Sequence, residues 1–178
     1  MCTVRFELLG PGMKLFDGGL SVRNTDTKAT TSLASPVMKS GTASATFRLK
    51  FKGFFGHVVG VFPATQKRDV DANASTHESA TLWVGYLGRS TDDGGYAQLV
   101  CDGMRSERVT GLELDWQNSE LRVDVVFVEW HTARVTFSGR NKTWEATLRG
   151  VPACGLRFGV GMGGEGDSVT LVWSTTTA

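Results

Sequence analysis

At 178 residues the chain is long enough to bury a complete two-layer core, and residues 1–178 read as one domain. Nineteen Lys and Arg against eighteen Asp and Glu leave a net charge of +1, so no broad field draws the chain to nucleic acid or an anionic membrane, and neither is expected as a partner. Three cysteines and three histidines, with no Cys-x-x-Cys pair, speak against a structural zinc site; reduced thiols and no metal or cofactor are expected.

The opening MCTVRFELLGPGMK has no long apolar run and no cleavage signature, and no later run would cross a bilayer. An intracellular, cytoplasmic chain is therefore expected, in which the sequons at Asn73 and Asn141 are loop and turn residues. Thr3 to Leu9 reads as a short edge strand closed by the turn Gly10-Pro11-Gly12, and Leu20 to Asn24 as another short strand. Ala43 to Phe51 alternates cleanly, and Gly56 to Phe62 is a mostly apolar, buried run. Ala64 to Ala80 carries no pattern, and a stretch of that length is expected to be a mobile or recognition loop. Thr81 to Leu87 and Tyr96 to Cys101 pair across GRSTDDGG, and Gly111 to Trp116 is extended.

The region from Leu121 to Leu148 carries the clearest signal. Leu121, Val123, Val125 and Phe127 share one side of an extended chain, with Val126, Val128 and Trp130 on the other. Ala133, Val135 and Phe137, then Trp144, Ala146 and Leu148, repeat the period of two. Leu156 to Met162 and Ser168 to Trp173 close the series, before a frayed tail from Ser174 to Ala178. No segment keeps helical spacing over three turns. About ten or eleven strands are too many for one open twisted sheet, so the sequence predicts an all-β, two-layer antiparallel sandwich with little helix.

Several stretches invite a chemical reading. GVGMGG at Gly159 to Gly164 has the letters of a dinucleotide loop, but a strand follows it where a helix N-terminus is needed, so a hairpin turn is expected. ELDWQ, Glu113 to Gln117, resembles the E-x-D-x-E run of laminarinase-like glycoside hydrolases, with Glu113 as nucleophile and Asp115 as the assisting acid. Gln117, however, stands where a proton-donating carboxyl is required. A polar outer face on a half-buried strand is the competing reading. His57, in a valine-rich strand, His77, in the long loop, and His131, in a turn, are too scattered to suggest a metal pair or a nucleophilic triad. Most of the five tryptophans are expected in the core. The candidates for a binding surface are Trp83, Tyr86, Arg89, Asp92, Asp93, Tyr96 and Arg105, aromatic and charged residues around predicted loops, with core packing as the alternative for the aromatics.

Four segments carry a family resemblance. KSGTASATFRLKF (39–51), HVVGVFP (57–63), the run from Gly111 to Trp144, and LRFGVGMGGEGDSVTLV (156–172) are similar in kind and order to the SPRY (B30.2-type) domain. Phe47 stands where that family often has Trp, and SGRN resembles its Asn-Gly-type turn. The resemblance implies a concanavalin-like jelly roll and a non-catalytic module, an adaptor or subunit of a larger complex, that binds a protein or peptide through loops at one rim. That rim would be built from the 64–80, 88–95 and 102–108 loops. Lectins and carbohydrate-binding modules share the same spacing, so a sugar ligand, and behind it a glycosidase, remain the alternatives.

Overall fold

The computed structural model describes residues 4–27, 30–51, 57–65, 82–86, 97–101, 104–109, 119–139 and 143–177, with 82–86, 97–101 and 104–109 described through their backbone. The described strands are β1 (Arg5–Leu8), β2 (Met13–Phe16), β3 (Ser21–Asn24), β4 (Thr30–Ser35), β5 (Thr42–Lys50), β6 (His57–Pro63), β7 (Leu82–Tyr86), β8 (Ala97–Cys101), β9 (Met104–Val109), β10 (Glu120–Glu129), β11 (Thr132–Ser138), β12 (Thr143–Arg149), β13 (Leu156–Met162) and β14 (Ser168–Thr177). A 3-10 turn, Asp17–Gly19, links β2 to β3. Fourteen described strands form two antiparallel sheets of seven, in the orders β1-β4-β13-β6-β7-β8-β9 and β12-β11-β10-β5-β14-β3-β2. The two-layer sandwich is as the sequence predicts, with more strands than the ten or eleven expected.

Alternation explains the second sheet. Ala43, Ala45, Phe47 and Leu49 of β5, Leu121, Val123 and Val125 of β10, and Val135 and Phe137 of β11 all point into the core. Across from them lie Phe6, Ala34, Val59, Val61, Phe158 and Val160 of the first sheet. Phe47 meets Phe158 edge-on at 6.0 Å and Phe6 at 6.5 Å, so its ring joins the layers. The first sheet is covered on its other face too. Leu33, Val58 and Phe62 are buried there, outside the main cluster, and a Cβ on Gly159 would come within 2.6–2.7 Å of the Phe62 and Leu33 side chains.

Three expectations need correcting, and β2 and β4 occupy stretches to which the sequence reading assigns no element. The run 102–108 is mostly strand, since Met104–Val109 pairs with β8. Ser174–Thr177 is not frayed: these residues pair with Ala45 back to Thr42 along β5, and the Ser174 hydroxyl accepts from the Val4 amide. Nor do Leu156–Met162 and Ser168–Thr177 form a hairpin. β13 pairs with β4 and β6, whereas β14 pairs with β3 and β5, so Gly164–Asp167 carries the chain from one sheet to the other. The Asp167 carboxylate accepts from the Gly164 amide at 2.8 Å and braces this arch. Removing Ser174–Ala178 is expected to lower the thermal midpoint by several degrees, because the β5 ladder loses its partner over four residues; differential scanning calorimetry checks it.

Candidate recognition surface

Three of the predicted binding residues lie on described strands. Trp83 and Tyr86 lie on β7 and Arg105 on β9, while Arg89, Asp92, Asp93 and Tyr96 fall outside the described residues, as do His77, Trp116 and the Glu113–Asp115–Gln117 stretch. Register pairs Trp83 with Val100 and Val100 with Arg105, which sets Trp83 and Arg105 in one row, two strands or about 10 Å apart. Tyr86 pairs instead with His57 and Ala97, three residues or about 10 Å further along β7. Leu82 opposes Val61, so the Val61–Leu82 pair and the Tyr86–Ala97 pair mark opposite ends of β7.

At the Val61–Leu82 end the structure places a residue that the sequence reading passed over. β10 and β11 are joined by two residues, Trp130 and His131. Turns of this length favour Asn-Gly or Asp-Gly, because positive φ is needed. Neither residue has positive φ; the register shifts between Phe127 and Glu129, and that irregularity lets a non-glycine pair close the hairpin. Trp130 is 80% exposed and Val128, beside it, 47%.

The turn is nevertheless held. The Trp130 ring lies 3.7 Å from the His131 ring, centroid to centroid. The His131 Nδ1 sits 2.8 Å from the Val151 carbonyl oxygen, and since a carbonyl only accepts, Nδ1 carries the proton. The Val151 amide donates back to the His131 carbonyl at 3.0 Å. Four residues on, the Gly155 carbonyl accepts from the Ala64 amide at 2.9 Å, and the Cys154 Sγ lies 3.7 Å from the Thr65 hydroxyl. Val151–Gly155 thus fastens both the Trp130 turn and the point where the chain leaves β6.

The outer face of the second sheet carries a different arrangement. The shift in register between Leu171 and Trp173 turns Trp173 outward, opposite Thr46, so it is not among the tryptophans of the core. The Arg122 guanidinium lies over its ring at 5.3 Å and also binds the Asp124 carboxylate, which accepts from the Ser44 hydroxyl. Arg48 and Glu120 pair at 2.8 Å in the next row. These groups satisfy one another, which makes the face a solvated one. Trp144 is the tryptophan with a described side chain that packs against the core. Among the described residues no three His, Cys, Asp or Glu side chains are grouped to hold a metal ion.

No protein-family model matches the sequence, and no curated protein sequence matches it. Solved structures do. The SPRY domain of human HERC1 superposes with a TM-score of 0.65 over 93% of this chain and 96% of that one, at 15% identity. The PSpry domain of TRIM65 gives 0.68 over 96% and 89%, at 12% identity. The legume lectin-like domain from Entamoeba histolytica gives 0.58 over 98% and 91%, at 12% identity. At such identities the likeness is one of fold, and the fold is the SPRY-type, concanavalin-like β-sandwich that the sequence segments resemble.

Proposed function

We propose that this SPRY-type sandwich is a non-catalytic recognition module that binds a protein or peptide partner, as an adaptor or subunit of a larger complex in the cytoplasm. The observation that carries the reading is Trp130: a large aromatic side chain, 80% exposed, on a turn pinned by reciprocal hydrogen bonds between His131 and Val151. Nothing in the fold of the hairpin calls for a tryptophan there. Exposed aromatics on rigid supports are the commonest anchors of binding surfaces, because burying them releases much apolar area while little conformational freedom remains to be lost. Trp83 and Arg105, from the row nearer the Val61–Leu82 end, would extend this surface. Tyr86, Arg89, Asp92, Asp93 and Tyr96 are proposed as further contact residues. The free thiol at Cys154 accords with a reducing compartment.

Quantitative affinity capture with the full chain, followed by calorimetry on the partner it identifies, tests the reading. Trp130→Ala is expected to weaken binding about 30-fold, corresponding to the roughly 2 kcal/mol of a binding hot spot, with the thermal midpoint unchanged. Tyr86→Ala with Arg89→Ala serves as the comparison. A partner lost only in that second variant would move the site to those residues. Specific, saturable binding to a glycan array with no polypeptide partner would replace the reading with a lectin-like one.

A further inference from the structure

Cross-strand neighbours on the outer face of the second sheet run in rows, and several of its arginines are neutralised there. Arg48 holds Glu120, Arg122 holds Asp124, and Arg134 reaches Glu145. One row is different. Register sets Lys14 of β2 opposite Arg23 of β3, Arg23 opposite Ser168 of β14, and Ser168 opposite Lys50 of β5. The three cations are exposed, and Ser168 between them is half-buried. Among the described residues no carboxylate lies within ion-pair distance of Lys14, Arg23 or Lys50.

Like charges directly opposite each other on paired strands repel, so Lys14 beside Arg23 is an arrangement that costs the folded chain. The Arg23 guanidinium lies over the Phe16 ring at 5.0 Å, and that ring is itself 41% exposed. The neighbouring row adds no free cation. It runs Phe16, Ser21, Thr170 and Arg48, with the Ser21 hydroxyl donating to the Asp17 carboxylate and Arg48 paired to Glu120. On the other flank Gly12 and Thr25, bonded to each other, are uncharged. The uncompensated charge is therefore one row wide and, at about 4.8 Å per strand, about 14 Å from Lys14 to Lys50.

We infer that this row is a docking strip for an acidic polypeptide segment in extended conformation, with Asp or Glu at every second position. Alternate residues of an extended chain stand about 6.8 Å apart, so acids at i, i+2 and i+4 span about 14 Å, the length of the row. Lys14 and Lys50 supply flexible point charges at its ends, Arg23 a planar fork, and Phe16 an apolar contact beside it. A strip of this width suits a single extended chain. A membrane or a nucleic acid draws on a broad positive field, which a net charge of +1 does not supply. The strip is also separate from the Trp130 surface. Lys50 ends β5 about 27 Å along the strand from Thr42, and it is Thr42 that pairs with Val126, next to the Trp130 end of β10.

Fluorescence anisotropy with a short labelled peptide of alternating Glu and Thr, titrated with the full chain, tests this. Saturable binding that weakens as salt is raised is expected, with none to the matching peptide of Gln and Thr. Lys14→Glu, Arg23→Glu and Lys50→Glu are each expected to weaken binding about tenfold or more, while Arg149→Glu, exposed on β12 of the same face, leaves it unchanged. Lys14→Gln, which removes the repulsion with Arg23, is expected to weaken binding without lowering the thermal midpoint, whereas a merely structural lysine would lower the midpoint and leave binding intact. No binding, binding indifferent to the three exchanges, or equally strong binding to an oligouridylate or to phosphatidylserine vesicles would each overturn the inference.

Discussion

Phe47→Ala is expected to destabilise the protein by about 3–5 kcal/mol, a large share of the roughly 5–15 kcal/mol that holds a domain of this size folded. Phe47 is fully buried on β5, opposite Leu121 of β10 and Leu171 of β14, at the centre of the second sheet. Its ring reaches across the sandwich to Phe158 of β13 and Phe6 of β1. Truncation removes the transfer energy of the ring and leaves a cavity whose walls are hydrogen-bonded strands, which cannot collapse to fill it. Ser44→Ala, three residues away on the outer face of the same strand, is the control. It deletes one hydroxyl donor to Asp124 and is expected to cost about 1 kcal/mol or less. Urea unfolding, with the m-value unchanged in both variants, measures the difference. A loss under about 1 kcal/mol in Phe47→Ala would place the stabilising contacts elsewhere.

The same residues show why some of the fold can be read from sequence. Leu121 to Leu148 was legible because its strands bury one face in a shared core, which writes burial into the sequence with a period of two, and Leu156 to Met162 because its core-facing Leu156, Phe158, Val160 and Met162 alternate with Arg157, Gly159 and Gly161. β4 breaks that rule. Thr30, Thr31 and Ser32 are all buried, with Leu33 on one face of the sheet and Ala34 on the other, so the segment reads as a polar connection. The end of β14 fails differently. Ser174–Thr177 has no apolar residue, and its order comes from the β5 ladder and the contact between the Thr42 and Thr177 hydroxyls. Strand, glycine turn and strand is also the sequence of both a hairpin and a crossing between sheets. Choosing between them for Gly164–Asp167 requires knowing which strands β13 and β14 pair with, and that is a long-range fact.

The candidate surface was legible in part. Alternation places Val126, Val128 and Trp130 away from the core, and Val128 and Trp130 are exposed. The tightness of the Trp130–His131 turn was the signal left unused: two bulky residues between long alternating runs, where glycine or asparagine is usual. The support beneath it was not legible, since the contacts of the His131 ring and carbonyl join it to the Val151 backbone 20 residues away, and nothing in the local sequence marks that partner.

That support depends on one glycine, and Gly155→Ala carries the second large expected effect. Gly155 has φ +84°, and a Cβ there would lie 2.6 Å from the Met38 carbonyl oxygen and 2.7 Å from the Val37 side chain. The obstruction includes backbone. Met38 and Leu156 exchange hydrogen bonds of 2.8 and 2.9 Å, and moving either strand to relieve the clash disturbs that bridge. The left-handed strain and the overpacking together are expected to cost about 3–5 kcal/mol. Gly150→Ala separates the two contributions, because Gly150 has φ +72° with open space around its missing Cβ, and it is expected to cost only about 1–2 kcal/mol. Equal losses in the two variants would show that close approach at Gly155 is not what demands glycine. Because the Gly155 carbonyl also accepts from Ala64, displacement of this residue frees the start of the segment leaving β6. Gly155→Ala is therefore expected to weaken partner binding at the Trp130 end, whereas Gly150→Ala leaves these fastening contacts in place. Calorimetric binding beside urea unfolding distinguishes that coupling from simple loss of stability.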